Sequence, residues 1–407
     1  MRVCNTRIGP RKLRTHIVVG HFGEKGIFAT FGKNQNMYKT TGQKNSRIEV
    51  ADALRGLAVA GIILFHSVEH FNTFARGIKY TLPCDGTVFS VLQALLSGKM
   101  YGIFAILFGL SFFIMRDNQE QKGRDFSLRF AWRMVLLFLF GVLNVCFYDG
   151  DILITYAILG LLLIPAGYLS NGWLWAITIF LLAQPLEIYS HLTGWHPDSG
   201  WVGMGYMKLM QGHDTFWHSA ATNLRYGITT TLGWFWTHGR ITQTLGLFYL
   251  GLLFGRLRLF YNEGSNLKTW RVLLVVSALL VLCGAFVKFG KFDDLIHPMW
   301  NLAILILILS VAVLLWYRFD GFKNVFGKLG FFGRMSLTNY LLQSILGSFI
   351  FYQWGLSMYN TLGTTWSALV GIGMIVFQYW LLKLWADKHE RGPLEGLWRR
   401  LTWIGSK

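Results

Sequence analysis

Residues 53–66 read ALRGLAVAGIILFH, an apolar run that holds Arg55 near its start and His66 eleven positions later. In an α-helix, eleven residues turn through roughly 1,100°, within about 20° of three full turns, and rise about 16 Å. Arg55 and His66 therefore share one helix face at two depths, with Asp52 just before the run. Charged groups at membrane depth are costly unless they face a bundle interior or a wet cavity, so this stripe marks a candidate site.

The composition places this helix in a membrane. The chain is 53% hydrophobic and 14% charged, and its apolar residues come in runs of about twenty, the length that crosses a bilayer. We therefore predict an all-α, polytopic bundle of about ten transmembrane helices. The expected spans are 53–72, 100–115, 130–147, 152–169, 173–191, 241–255, 270–290, 298–317, 335–355 and 364–385. Two further apolar stretches, 86–97 and 226–237, are expected to be re-entrant or interfacial.

Positive charge predicts the orientation. Alternate connections hold many Lys and Arg residues, five in 116–133, four in 256–271 and four in 318–334, against none in 148–151 and 356–363. Cytoplasmic loops of membrane proteins carry such an excess. We therefore expect both termini to lie in the cytoplasm.

The two ends of the chain are expected outside the bilayer. Residues 1–50 hold ten Lys or Arg residues and no long apolar run, which predicts a basic, disordered cytoplasmic arm. The transmembrane domain is expected over 51–385, and a basic amphipathic tail over 386–407. The net charge of +18 requires no nucleic acid, because the arm and the inner loops, which face anionic lipid, account for most of it.

Glu69 and His70 continue the stripe beyond His66. The stretch 66–70, HSVEH, matches the HxxEH pattern of one class of zinc proteases, whose two imidazoles share a helix face. A zinc site also needs a third ligand, and the sequence offers no obvious one, so we predict no metal. We expect His66 to transfer protons or activate an acceptor, with structural hydrogen bonding as the alternative.

Several stretches resemble known families. Residues 52–56, followed by His66, look like the first helix of the acyltransferase family 3 proteins, in which an Arg and a His at this spacing are required to move acyl groups onto exported sugars. Over residues 48–404 the chain resembles the YeiB-type bacterial membrane proteins, whose defining region is the domain of unknown function 418. This resemblance implies a location in the bacterial cytoplasmic (inner) membrane. This second resemblance rests on four stretches: KMYGIFAILFG at 99–109, DGDIL at 149–153, RMSLTNYLLQS at 334–344 and RGPLEGLWR at 391–399.

The DGDIL stretch places Asp149 and Asp151 in a very short turn between two expected spans. Two carboxylates so close together cannot both lie in lipid. Either the turn is solvated and Asp151 caps the next helix, or one carboxylate orients His66 or binds an acceptor hydroxyl.

Arg334, Asn339 and Gln343 recur at helical spacing in the RMSLTNYLLQS stretch. Interhelical hydrogen bonding alone would explain this polar stripe. Alternatively, Arg334 joins Lys99 and Arg55 to hold the phosphates of a cytoplasmic acyl donor.

The family resemblances, which extend to the architecture of the heparan-glucosamine acetyltransferase group, imply transmembrane acyl transfer. We expect an acyl group, acetyl in the first instance, to pass from cytoplasmic acyl-coenzyme A to a glycan or other small-molecule acceptor at the outer face. Arg55 would pair with donor phosphates or with Asp52, and His66 would take the acceptor proton. The imidazole tautomer would be held by one of three carboxylates: Glu69, Asp149 or Asp151. The pocket would also contain Asp52, His70, Asn339 and Gln343.

A proton-coupled small-molecule transporter is the alternative function. Intramembrane acids and bases can form a proton relay, and many proteins with about ten spans are carriers. The sequence shows no internal repeat that would favour this reading. It also has no phosphate-binding glycine motif in a fitting context, so ATP or nicotinamide coupling is not expected. The sequence leaves open whether the protein forms a homodimer.

Overall fold

The helices follow the apolar runs of the sequence. The computed structural model describes residues 47–69, 71, 81–195, 214–286, 290 and 293–404, all within the unit Thr40–Lys407. These described residues form helices and connections without any β-strand, which confirms the all-α prediction. The predicted arm lies almost entirely outside the described residues.

The first half of the chain contains eight helices within the described residues. They are α1 (Glu49–Val68), α2 (Asp85–Leu96), α3 (Lys99–Glu120), α4 (Ser127–Val145), α5 (Leu153–Gly160), α6 (Leu163–Ala166), α7 (Asn171–Leu182) and α8 (Pro185–Thr193). Local chemistry sets several of their boundaries. Gly98, with φ of 75°, separates α2 from α3, and Pro185 occupies the first turn of α8, where its missing N–H leaves no hydrogen bond unmade.

The second half begins again at residue 214. It contains α9 (Phe216–Thr222), α10 (Ile228–Thr237), α11 (Arg240–Arg256), α12 (Asn266–Phe286), α13 (Asp293–Arg318), α14 (Asp320–Phe326), α15 (Gly330–Arg334), α16 (Ser336–Phe351), α17 (Thr364–Ala386) and α18 (Pro393–Thr402). A π-helical turn, Asn223–Gly227, joins α9 to α10. Helix α18 lies within the tail, residues 386–407.

Six helices of the described residues are long and apolar enough to cross a membrane, or seven if α7 and α8, bent by 48°, form one span. The expected number of about ten is not confirmed. Residues 152–169 are divided between α5 and α6, while α11 has 17 residues and α16 has 16. Helices of that length rise about 24–26 Å, less than the roughly 30 Å of a bilayer core.

The outermost helices present apolar side chains to their surroundings. In α12 the exposed residues include Val272, Val275, Leu279 and Leu282, and only 11% of the apolar window of this helix is buried. A continuous apolar face of this kind is unfavourable in water and favourable against lipid tails. The exposed face of α12 therefore fits a helix on the lipid side of a membrane bundle.

Helices α3 and α11 cross at two glycines. A Cβ atom on Gly109 would lie 2.0 Å from the carbonyl oxygen of Phe248, and one on Gly251 would lie 1.9 Å from that of Ile106. The two backbones touch at this point, as small residues permit in membrane bundles. This crossing fixes the position of α11 against the helix that follows Lys99.

We expect Gly251→Val to destabilise the bundle by about 1–3 kcal/mol or more, because the new side chain must push two backbones apart. Gly373→Val is the matched control, since a Cβ on Gly373 meets no atom within 4 Å. The measurement is the thermal midpoint of the detergent-purified proteins by fluorescence-detected size exclusion. Equal midpoints for the two variants would contradict the close crossing.

Candidate functional site

Helix α1 carries a polar side chain near each end, and its contacts with helix α3 give the relative direction of the two helices. The Arg55 guanidinium donates to Ser111 Oγ at 3.2 Å, while Gly61 packs against the side chain of Met100. Helices α1 and α3 therefore run antiparallel. We call the level of Arg55 the arginine end and the level of His66 the histidine end, and the two are about 16 Å apart by helix rise.

A second glycine crossing builds the arginine end. A Cβ on Gly333 would lie 1.9 Å from the carbonyl oxygen of Asp52, and one on Gly56 would lie 2.3 Å from that of Leu329. Only glycine permits this approach of α15 to α1. The contact places Arg334 at the same end of the bundle as Arg55.

The cations at the arginine end differ in how they are neutralised. Arg55 Nη1 donates to Asp52 Oδ1 at 2.9 Å, and Arg47 Nε donates to Asp52 Oδ2 at 2.8 Å. One carboxylate thus holds two guanidinium groups. By contrast, Arg334 Nε is buried and has no hydrogen-bond partner among the described residues.

A cavity of about 650 Å³ opens at the arginine end. Its mouth is basic and includes Arg47, Arg55, Arg133, Arg334, Arg391 and Arg399. Its interior is apolar and aromatic, with Phe104, Phe108, Phe130, Leu137, Tyr156 and Tyr340 among the lining residues. The volume lies within the roughly 300–1,000 Å³ of small-molecule and cofactor sites.

A wider groove of about 1,110 Å³ adjoins this mouth. The two share Gln119, Glu390, Arg391, Arg399 and Trp403. The groove adds further cations to its own walls, namely Lys122, Arg124, Lys388 and Arg400. Anions are therefore attracted to the arginine end over a surface larger than the cavity itself.

Helix α18 holds one wall of the cavity through Glu395. The Glu395 carboxylate accepts hydrogen bonds from the Leu337 amide at 2.7 Å, the Thr338 amide at 3.0 Å and Thr338 Oγ1 at 2.6 Å. Burial raises the pKa of Glu395, and the hydrogen bonds from Thr338 and Leu337 partly offset that effect. The carboxylate thus satisfies free N–H groups at the start of α16.

The other side of α18 is bound to α4. The Arg133 guanidinium lies 4.1 Å from the centre of a Trp398 ring, and Trp398 Nε1 donates to the Arg133 carbonyl oxygen at 3.2 Å. Arg129 Nη1 donates to the carbonyl oxygen of Thr402 at 3.0 Å. The helix is therefore attached to both α4 and α16 across the mouth.

At the histidine end, His66 lies among aromatic rings. Gln343 Nε2 lies 3.1 Å from His66 Nδ1. The ring centre of His66 is 5.1 Å from that of Tyr148, 6.4 Å from Phe71 and 6.5 Å from Tyr340. Tyr340 also lines the cavity. Tyr340 is therefore both a lining residue of the cavity and a neighbour of His66.

The aspartates of the DGDIL turn are buried. Asp151 accepts a hydrogen bond from Asn144 Nδ2 at 2.9 Å and another from the Ile154 amide at 2.8 Å. Burial raises the pKa of Asp151 to about 7 despite these opposing bonds. Thr231 Oγ1 donates to the carbonyl oxygen of Asp149 at 2.6 Å. Asp151 thus caps the first turn of α5, although the turn is buried rather than solvated.

The structure brings together only some of the predicted site residues. Gln343 contacts His66, whereas Asn339 donates to the Phe332 carbonyl oxygen at 3.0 Å and so links α15 to α16. Glu69 extends α1 beyond Val68, within electrostatic range of Arg240. His70 lies outside the described residues.

Lys99 requires a correction. The sequence analysis places Lys99 with Arg55 and Arg334, but α3 is antiparallel to α1, so Lys99, the first residue of α3, lies at the histidine end. Lys99 precedes Ser111, the partner of Arg55, by twelve residues, or about 18 Å of helix rise. A single group of donor phosphates cannot contact both ends of α3.

Sequence reasoning missed three groups that the structure adds. Tyr148 packs on His66, Glu395 attaches α18, and Arg240 begins α11 at the histidine end. Arg240 did carry a signal, because it is a cation directly before an apolar run. Within the described residues no group of three His, Cys, Asp or Glu side chains could hold a metal ion.

The fold and the site define a helical membrane-type bundle in which a basic-mouthed cavity leads toward an aromatic-lined histidine. Residues 254–405, in the C-terminal part of the chain, match the model of the family described as "Protein of unknown function (DUF418)". The YeiB-type resemblance read from the sequence is thereby confirmed.

Three relatives are similar over most of their length. The uncharacterized protein YxaH of Bacillus subtilis (strain 168) is 27% identical over 88% of this chain and 95% of its own. The uncharacterized protein YeiB of Escherichia coli (strain K12) is 25% identical over 86% and 95%, respectively. An uncharacterized 39.9 kDa protein from the amylase 3' region of Bacillus acidopullulyticus is 22% identical over 88% and 94%.

We expect Glu395→Ala to detach α18 from α16, because the Leu337 and Thr338 amides lose their shared acceptor. The cost should be about 1–3 kcal/mol, the usual penalty for unsatisfied buried donors. Limited proteolysis of the purified protein, with cleavage mapped by mass spectrometry, should show faster cutting at Lys388 and Arg391. Glu263→Ala is the control, since Glu263 bonds Arg258 in the loop after α11. Unchanged cleavage in Glu395→Ala would contradict this attachment.

Proposed function

We propose that this protein transfers an acyl group, acetyl in the first instance, from acyl-coenzyme A to an acceptor at the opposite face of the membrane. The observation that carries the proposal is the cavity, whose basic mouth and apolar interior extend toward Tyr340 beside His66. An acyl-coenzyme A has the matching character, with phosphates at one end and an acyl-pantetheine arm at the other.

The arginine end is the proposed donor site. Guanidinium groups recognise phosphates through paired, charge-assisted hydrogen bonds. Arg334 is best suited, because its buried Nε has no partner among the described residues, whereas Arg55 is held by Asp52 and Ser111. The adjoining basic groove offers room for the remaining phosphate and the nucleoside.

The proposed orientation places the arginine end in the cytoplasm. It rests on the Lys and Arg residues of the connections 116–133, 256–271 and 318–334, which lie at the same end of α3, α11 and α13 as this mouth. Acyl-coenzyme A would then enter from the cytoplasm of a bacterium, and the histidine end would face outward.

In the proposed reaction His66 acts as the general base. The acceptor hydroxyl or amine attacks the thioester carbonyl carbon while the imidazole takes its proton. A new C–O or C–N bond forms, the C–S bond breaks, and the leaving thiolate of coenzyme A receives the proton from the imidazolium. Atoms and charge balance without any further reactant.

Gln343 positions this base. It contacts His66 at Nδ1, so Nε2 is the nitrogen that would take the proton of the acceptor. A side-chain amide can turn by 180° and accept from Nδ1–H instead of donating to Nδ1. In the accepting orientation Nδ1 keeps its proton and Nε2 is unprotonated, as a general base requires, so the same Gln343 hydrogen bond holds His66 before and after Nε2 takes the acceptor proton.

Coenzyme A should bind the purified protein, and Arg334→Ala should weaken that affinity about 10- to 100-fold, the value of a charged hydrogen bond. Added salt should weaken it further, because phosphate pairing is screened. Calorimetry on the wild type, Arg334→Ala and the exposed control Arg318→Ala is the measurement. Lack of saturable binding to the wild type would favour the proton-coupled transporter, which needs no coenzyme A.

His66→Ala should lower the rate of acyl transfer about 10²- to 10⁴-fold while coenzyme A still binds, because only the proton acceptor is lost. The assay measures labelled acetyl passing from acetyl-coenzyme A to the glycan fraction of vesicles that contain the protein. His191→Ala, at an exposed histidine of α8, is the control. Equal transfer by wild type and His66→Ala would refute the general-base role.

A further inference from the structure

Lys99 is a buried cation that has no counter-ion among the described residues. Lys99 is only 2% exposed, and its ammonium group makes no hydrogen bond or ion pair with the rest of the described structure. Lysine is almost never fully buried unless it is paired. The position, at the first residue of α3, is at the histidine end.

Arg240, the first residue of α11, is a second cation in the same region. Its Nη1 donates to Gln243 Oε1 at 2.5 Å and to Tyr101 Oη at 3.4 Å, while its Nε is buried without a partner in the described chain. Tyr101 in turn donates to Gln243. Neutral groups thus position the Arg240 guanidinium, and it forms no ion pair with a described residue.

The two cations act on each other. Arg240 lies within electrostatic range of Lys99 and of Glu69. Glu187, another carboxylate of this region, lies near Gly239, the residue before Arg240. Two like charges repel each other in a medium of low dielectric, and neither Lys99 nor the half-buried Arg240 forms an ion pair with a carboxylate of the described residues. An anion of the ligand would remove both costs.

We propose that Lys99 and Arg240 bind an anionic group, a phosphate or a carboxylate, of the acceptor. This assignment rests on the proposed function, because it takes the second substrate to occupy the histidine end. It names the acceptor class as a sugar acid, a phosphorylated glycan or a phosphate-bearing lipid headgroup, rather than a neutral sugar.

The spacing along the helices fits one acceptor molecule. Gly61 packs against Met100, His66 lies five residues beyond Gly61, and Lys99 lies one residue beyond Met100 in the same direction. Lys99 and His66 are therefore about 6 Å apart in depth. A small acceptor could place its anionic group at Lys99 and its nucleophile at His66.

The site is distinct from the donor phosphate site. Lys99 lies about 18 Å along α3 from Ser111, which contacts Arg55. An anion bound at Lys99 should therefore coexist with coenzyme A at the arginine end. The test uses this independence.

The experiment is calorimetric titration of inorganic phosphate into the full-length purified protein at constant ionic strength, with saturating coenzyme A present. Lys99→Met should weaken phosphate binding about 10- to 100-fold, the value of a hydrogen bond to a charged group. Lys268→Met, at an exposed lysine of α12, should leave the affinity unchanged. Lys99→Met should also melt no lower than the wild type without phosphate, since it removes an unpaired buried charge.

Equal phosphate affinity in the wild type and Lys99→Met would overturn the proposal. A failure of coenzyme A to bind would instead overturn the proposed function, while the difference between the wild type and Lys99→Met would still report the anion site. Repeating the titration in nanodiscs separates the two sources of the anion. Competition by phosphatidylglycerol, but not by phosphatidylcholine, would support a lipid headgroup, and equal affinity in both would support a soluble acceptor.

Discussion

The cost of placing charge in an apolar helix bundle governs this structure. Arg55 and His66 occur in a run that is otherwise hydrophobic, so the rest of the bundle must provide them with partners or with a polar cavity. Asp52 and Ser111 accept hydrogen bonds from Arg55, and Gln343 is the hydrogen-bond partner of His66. The helices that supply these partners are therefore held around α1, and the cavity extends from Arg55 to Tyr340, whose ring lies beside His66.

Glycine makes this arrangement compact. At the crossings of α3 with α11 and of α1 with α15, backbone lies directly against backbone. Van der Waals contact of this kind is a main source of helix association in membranes, where water is absent and the hydrophobic effect cannot act between helices. The polar residues need no flexible loops to reach each other, because the rigid helices that carry them are already in contact.

The sequence predicted the stripe on α1 because helical periodicity is a local property. It also predicted Gln343 as a pocket residue from its spacing with Asn339 and Arg334. It could not predict which polar groups would meet. Asn339 and Gln343 are four residues apart, yet one contacts the backbone at Phe332 and the other contacts His66.

The remaining errors have physical causes. Hydropathy measures apolar length, so it does not distinguish one long span from two short helices such as α5 and α6. Charge counting gives the side of a loop but not the depth of Lys99, which depends on the antiparallel packing of α3. Glu395 lies more than fifty residues from Thr338, and no local pattern reports so distant a contact.

The attachment of α18 has a mechanical consequence. Glu395 grips α16 at Thr338, and Gln343 contacts His66 only five residues, about 7.5 Å, further along the same helix. An α-helix is stiff along its axis, so α16 mechanically connects α18, which it contacts at Thr338, with His66, which it contacts at Gln343. A ligand that displaces α18 on entering the cavity would therefore move α16 and change the hydrogen bond between Gln343 and His66. Binding at the arginine end would in this way alter the orientation of His66 at the histidine end.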